Sequence, residues 1–190
     1  LPALASSFQR EAGVDILTDD PITTAEPDVL HFDERESMAY DVLVWTGGIT
    51  GQAAMADTDV ETEHERVVAD STFATSDERV FAVGDSAVLE GDGNGNPVPP
   101  TAQAAWQAAD VTAENVVKRM NGQPLETWSY EDKGTLISVG DEAVAHGISL
   151  LPFVDTFGGV PAEFLKKFVA ARWIADVSSW NRARRAWPYL

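Results

Sequence analysis

The residues with chemistry to offer fall in two short stretches. The first, Val80-Phe81-Ala82-Val83-Gly84-Asp85, is an apolar run closed by Gly-Asp. Glycine lets a backbone approach a ligand closely, and the carboxylate beside it can accept hydrogen bonds from sugar or polyol hydroxyls. The same residues would equally suit a strand capped by an Asx turn. The second stretch is Pro99-Pro100-Thr101-Ala102-Gln103-Ala104-Ala105-Trp106-Gln107. Its prolines pre-set a helix start, and its small residues leave room for a flat ligand against the first turn. The positive end of the helix dipole would favour negative charge at that point. Gln103 and Gln107 stand four apart and share a helix face, where they either line a site or meet solvent.

These groups need elements to position them. A helix is predicted over residues 101–120, stopped by Asn121-Gly122. Apolar and β-branched runs predict strands at 14–17, 28–32, 40–45, 67–68 and 80–83, with a turn at 33–37. Residues 134–140 and 143–146 read as a hairpin pair, and 3–12 as a short helix ending at Gly13. Residues 50–66 and 91–97 are polar and are expected to be loops. Residues 161–176 form an amphipathic pattern, with Phe164, Leu165, Phe168, Val169, Trp173 and Val177 at helical spacing.

Other constellations lack a required part. Asp92, Asn94 and Asn96 imitate a calcium loop, but Pro97 stands where that loop needs glycine and Gln103 where it needs an acid. Gly84-Asp85-Ser86 could suggest a serine nucleophile, yet there is no G-x-S-x-G. His31, His64 and His146 are scattered, which suits neither a catalytic triad nor a metal site. No metal ligands and no catalytic residue are assigned. No G-x-G-x-x-G occurs; Gly47-Gly48-Ile49-Thr50-Gly51 follows an apolar run but precedes polar residues, not a helical pattern. With no cysteine, a disulfide scaffold, a thiolate zinc site, an iron–sulfur cluster and a redox dithiol are all excluded within these residues.

Charge adds a second theme. The 190 residues carry 31 acids against 13 bases, a net charge of −18, and 44% of them are apolar, enough for a folded core. Such a surface repels a polyanion, so nucleic acid is not expected as a partner. The acids are spread along the chain and only 4 of the bases are Lys, a composition suited to high salt, where screening relieves self-repulsion. The alternative is an acidic face for a cationic partner. Residues 166–190 reverse the sign, with six bases against Asp176 alone, and they hold Trp173, Trp180 and Trp187. No apolar run approaches the ~20 residues that span a bilayer. The start, Leu-Pro-Ala-Leu, lacks an initiator Met and a leader pattern, so the chain is expected to begin inside a larger protein.

Taken in order, V-F-A-V-G-D, then P-P-T-A-Q-A-A-x-Q, then Gly134-Thr135-Leu136-Ile137-Ser138-Val139-Gly140 resembles the C-terminal half of type II NADH:quinone oxidoreductases. The resemblance extends to Asp41-Val42-Leu43-Val44-Trp45-Thr46-Gly47-Gly48-Ile49, similar to the last strand of that family's NADH domain, and to Phe164-Leu165-Lys166-Lys167 in its membrane-docking end. It implies an α/β fold: the C-terminal part of a flavoprotein with two dinucleotide-binding domains, followed by a small α+β domain with an amphipathic helix. The expected boundaries are 1–55 for the NADH-domain portion, 56–128 for the FAD-domain portion and 129–190 for a dimerisation and membrane-docking domain.

By the same resemblance, Gly84 and Asp85 would bind the FAD ribityl chain, and Thr101, Ala102 and Gln103 would face the pyrimidine end of the flavin. Gly47 and Gly48 would sit near the nicotinamide, while Gln103 and Gln107 would line the quinone site. The implied cofactors are FAD and NADH. Both nucleotide fingerprints of the family are missing here, so the isolated chain is expected to bind neither well. The implied partners are a membrane quinone, the membrane surface through the basic Trp-rich end, and a second copy in a homodimer. The expected location is peripheral, on the cytoplasmic side of the cell membrane. The alternatives are a related flavoprotein reductase with a soluble acceptor (a ferredoxin reductase or an NADH oxidase) and a non-catalytic dimerisation and membrane-docking piece.

Overall fold

A computed structural model describes residues 13–55, 57–89, 97–139, 142–149 and 153–190. The helix expected over 3–12 and the loop expected at 91–97, save Pro97, lie outside the described residues. The chain divides into two compact units, Trp45–Asp132 and the remainder.

In the remainder, an antiparallel meander is formed by β1 (Ile22–Glu26), β2 (Val29–Phe32) and β3 (Met38–Ala39). Pro27 and a left-handed Asp28 (φ 69°) close its first hairpin, so that Glu26 faces Val29. The Asp20 carboxylate fastens the turn after β2, accepting from Glu34 N, Arg35 N and Arg35 Nε. Those bonds hold Asp20 below the usual carboxylate range despite its partial desolvation.

Two expected strands do not form. Residues 14–17 and 40–45 are irregular, with Val42 81% and Val44 77% exposed. Strand-forming side chains are not enough: a strand needs a ladder for its N–H and C=O groups, and among the described residues the only backbone bond of either segment runs from Tyr40 N to Asp28 O at 3.0 Å.

The Trp45–Asp132 unit has a mixed three-stranded sheet of β4 (Thr62–Glu63), β5 (Arg66–Ala69) and β6 (Ala87–Leu89). The expected loop over 50–66 thus contains a hairpin. Its two turn residues, His64 and Glu65, are both left-handed (φ 50° and 60°). Thr50 Oγ1 and Gly51 N donate to His64 O, and Gly51 passes so close to Glu65 that no Cβ would fit there. β5 and β6 pair in parallel, Val67 against Ala87 and Ala69 against Leu89. The expected strand at 80–83 is reduced to one bridge, Ala74 to Phe81, and the regular strand follows Gly84-Asp85 instead of preceding it. The crossover between the parallel strands is pinned by Asp70, whose Oδ1 accepts from Thr72 N, Thr72 Oγ1 and Ala74 N. That turn holds Phe73 left-handed (φ 66°) and fully buried.

α1 (Ala102–Met120) covers this sheet, burying Ala104, Ala108, Thr112 and Asn115 along one stripe. Thr101 caps it, accepting from Ala104 N at 3.2 Å, and Gly122 (φ 65°) follows its end. Val67, Ala69, Phe73, Ala82, Leu89 and Ala108 form the core, with Trp128 and Tyr130 packed against it.

The C-terminal hairpin is as expected: β7 (Thr135–Val139) pairs antiparallel with β8 (Glu142–His146), and β9 (Thr156–Gly158) adds a third strand. α2 (Val160–Val177) packs Ala162 on Ala143 and Ala145. α3 (Trp180–Ala186) folds back on α2, with the Phe164 and Trp187 rings 5.5 Å apart. The apolar stripe of α2 is largely uncovered, with Phe164 57% and Trp173 49% exposed, as is Trp180 of α3 at 62%.

Candidate functional site

Gly84, Asp85 and Ser86 form a single 3-10 turn whose far end leads into β6. Gly84 has φ 71°, a conformation that costs an L side chain roughly 1–2 kcal/mol. A Cβ at this position would stand 3.7 Å from Ala105 Cβ of α1, an ordinary contact, so the backbone conformation and not space calls for glycine. The Asp85 carboxylate is consequently at the surface beside the start of α1, where Thr101 and Ala102 are also exposed and Gln103 is half-buried. The first turn of any helix carries N–H groups with no carbonyl four residues back, so this end is electropositive. Beneath lies a cavity of about 10 Å³ bounded by Gly84, Ala87, Thr101, Ala104 and Ala105, with room for one water at most. A larger ligand meets the outer surface formed by Asp85, Thr101 and Ala102.

Five of the expected site residues are therefore brought together: Gly84, Asp85, Thr101, Ala102 and Gln103. Gln107 joins them in a particular way. Its Nε2 donates to Glu131 O at 2.8 Å and to Gln103 Oε1 at 3.3 Å, while its Oε1 accepts from Glu131 N at 3.2 Å. Eight residues on, Asn115 does the same to Glu126, accepting from its N at 2.8 Å and donating to its O at 2.8 Å, and it also reaches Thr72 O. Two side-chain amides of α1 thus each imitate a strand neighbour and strap the extended segment 126–131 along the helix. Gly47 and Gly48 are exposed in irregular chain, Gly48 at φ 91°, and no described contact joins them to the Gly84 turn.

Two further residues reach the site without having been expected there. Arg66, at the start of β5, donates from Nε to Asp85 O at 2.8 Å and from Nη2 to Ala87 O. Tyr130, on the strap, hydrogen-bonds the Thr101 side chain; burial and the nearby Asp132 charge raise its phenol above the ordinary range, while the Thr101 bond pulls the other way. For Tyr130 a signal existed, since Trp128 and Tyr130 alternate as one face of an extended segment does. Arg66 lies 19 residues before Asp85 and no spacing rule links them.

Comparison with known proteins agrees with this architecture. Residues 2–109 match the family described as pyridine nucleotide-disulphide oxidoreductase. The type II NADH:quinone oxidoreductase of Haemophilus influenzae is 32% identical over 151 residues, 74% of this chain and 34% of that protein. The enzyme of the same name from Staphylococcus saprophyticus is 30% identical over 173 residues, 88% of this chain and 42% of that protein. The chain thus spans between a third and a half of these curated relatives. Among solved structures, NDH2 from Plasmodium falciparum superposes on 97% of this chain and 53% of its own, with TM-score 0.64 at 12% identity. A ferredoxin reductase from Rhodopseudomonas palustris covers 76% of this chain and 37% of its own, with TM-score 0.51 at 20% identity. With the family matched over more than half its length, this chain belongs to the pyridine nucleotide-disulphide oxidoreductases.

Proposed function

We propose that this chain is the C-terminal part of an FAD-dependent NADH dehydrogenase that passes electrons from NADH to a membrane quinone. One observation carries the reading: Gly84 sets the exposed Asp85 carboxylate beside the open start of α1. Those residues fit the cofactor, because a carboxylate acceptor suits its polyol and a surface of Thr and Ala suits a flat ring. Bound FAD would supply the redox chemistry between nicotinamide and acceptor.

The chain's own residues would position and tune. Asp85 would accept a hydrogen bond from a ribityl hydroxyl. Thr101, Ala102 and Gln103 would face the pyrimidine end of the ring, where the helix start stabilises negative charge. Gln103 and Gln107 would lie on the acceptor side. With one hydrogen of its amide on Glu131 O and the other directed at Gln103 Oε1, Gln107 would hold the Gln103 side chain in one orientation. Gly47 and Gly48 would lie toward the nicotinamide, and the domain limits 1–55, 56–128 and 129–190 belong to the same proposal.

The basic end would dock on the membrane without crossing it; among the described residues no helix is long and apolar enough to span a bilayer. Lys167 and Arg172 pair with Glu163 and Asp176, which leaves the exposed Arg182, Arg184 and Arg185 of α3 for anionic headgroups. The apolar residues of α2 and the tryptophans would enter the interface beneath them, on the cytoplasmic face, in a homodimer. The acid-rich remainder suits a high-salt cell.

Anaerobic stopped flow on the full-length protein tests the function. NADH should bleach the flavin band and a short-chain quinone should restore it. A protein without flavin would refute the proposal, and recovery only with a soluble protein acceptor would replace the quinone with that acceptor.

A further inference from the structure

Arg66 is half-buried in a chain with 31 acids, yet among the described residues it makes no ion pair. Its guanidinium is instead spent on two backbone carbonyls, Asp85 O and Ala87 O, which flank the turn carrying the Asp85 carboxylate. β5 and β6 pair in parallel, with Val67 against Ala87, so the ladder places Arg66 level with the end of that turn. The planar fork of Arg can hold two carbonyls at once, which the single ammonium of Lys cannot do with the same geometry. A 3-10 turn of one cycle has little internal hydrogen bonding to keep its shape; here Ala87 N donates to Gly84 O and Ser86 Oγ to Val83 O at 3.1 Å.

We infer that Arg66 is a positioning residue for the cofactor: it fixes the Gly84–Ser86 turn so that the Asp85 carboxylate stays where a polyol hydroxyl can reach it. The inference rests on the flavin reading of Asp85 proposed above. Arg66 touches no cofactor atom in this account. Its whole effect on flavin passes through the turn, and hence through Asp85.

That dependence gives a test which a merely stabilising role would not satisfy. The dissociation constant for FAD is measured by flavin fluorescence in the full-length protein, for the wild type, Asp85→Ala, Arg66→Met and the double variant. Arg66→Met should weaken FAD by roughly tenfold or more, the scale of a lost charge-assisted bond. Added guanidinium should restore part of that loss, and Arg66→Lys should lie between wild type and Arg66→Met. The double variant should bind no worse than Asp85→Ala alone, because both act on one contact. If the two effects multiply, or if a folded Arg66→Met binds FAD as the wild type does, the inference fails. Should Arg66→Met not fold, Arg66→Lys enters the same cycle and is judged by the same criterion. An unchanged dissociation constant in Asp85→Ala would instead overturn the flavin reading itself, and that result is read before Arg66 is altered.

Discussion

At the scale of residues, the site is built from side chains that satisfy backbone as much as from side chains that face a ligand. Gln107 is the clearest case, since its amide is shared between Glu131 and Gln103. Gln107→Leu should raise the apparent KM for quinone several-fold while NADH reduces the flavin at a nearly normal rate, because the change lies on the acceptor side. A fall in flavin reduction with quinone turnover following it would contradict that placement. Tyr130 gives a pH prediction. Burial and the Asp132 charge hold its phenol above the ordinary tyrosine value of about 10, so its contribution is complete below that pH and is lost as the solution becomes more alkaline through the raised folded value. Phenolate absorbance should show a phase above the ordinary tyrosine range, and Tyr130→Phe should remove it. Gly84, Asp85 and Gln103 were legible from residue types and spacing. Arg66 was not, because its contact with Asp85 O depends on a parallel pairing that no local pattern encodes.

At the scale of elements, the two long helices α1 and α2 were legible, α3 was not expected, and strands were legible only in part. The prolines, the Thr101 cap and Gly122 bracket α1 within a residue of its observed limits. The stretch at 40–45 has strong strand composition but, beyond the bond from Tyr40 N to Asp28 O, no ladder among the described residues, so composition misled. The β4–β5 hairpin was hidden for the opposite reason: His64 and Glu65 occupy left-handed positions where Asn-Gly would have announced a turn. The strap along α1 depends on Asn115, which is wholly buried. Asn115→Leu keeps the branched shape with somewhat more bulk and strands Glu126 N, Glu126 O and Thr72 O, so unfolding stability should fall by about 2–4 kcal/mol. A change in the denaturant midpoint equivalent to under about 1 kcal/mol would show that the strap is dispensable. The exposed stripe of α2 was also legible as an amphipathic pattern, although the pattern alone did not say that solvent would meet it. Truncation before Val160 should abolish sedimentation of the full-length protein with anionic liposomes, with partial salt resistance in the intact form carried by the exposed Trp and Phe. Equal pelleting of both forms would exclude docking through α2 and α3.

At the scale of the whole molecule, the proposed function would have this chain supply one side of a cofactor site, and the chain spans 34% and 42% of two curated relatives. The Trp45–Asp132 unit carries the Gly84 turn, the α1 start, the strap and Arg66 together, so the candidate flavin surface is an internal property of that unit. Beneath the turn the space bounded by Ala87, Ala104 and Ala105 is only about 10 Å³, so a ligand would meet the rim alone. The most direct measurement is a crystal structure of the full-length protein with FAD. An Asp85 carboxylate oxygen should lie about 2.5–3.0 Å from a ribityl hydroxyl, with the first turn of α1 against the isoalloxazine ring. Flavin bound elsewhere, with Asp85 and the α1 start left in solvent, would contradict the proposal.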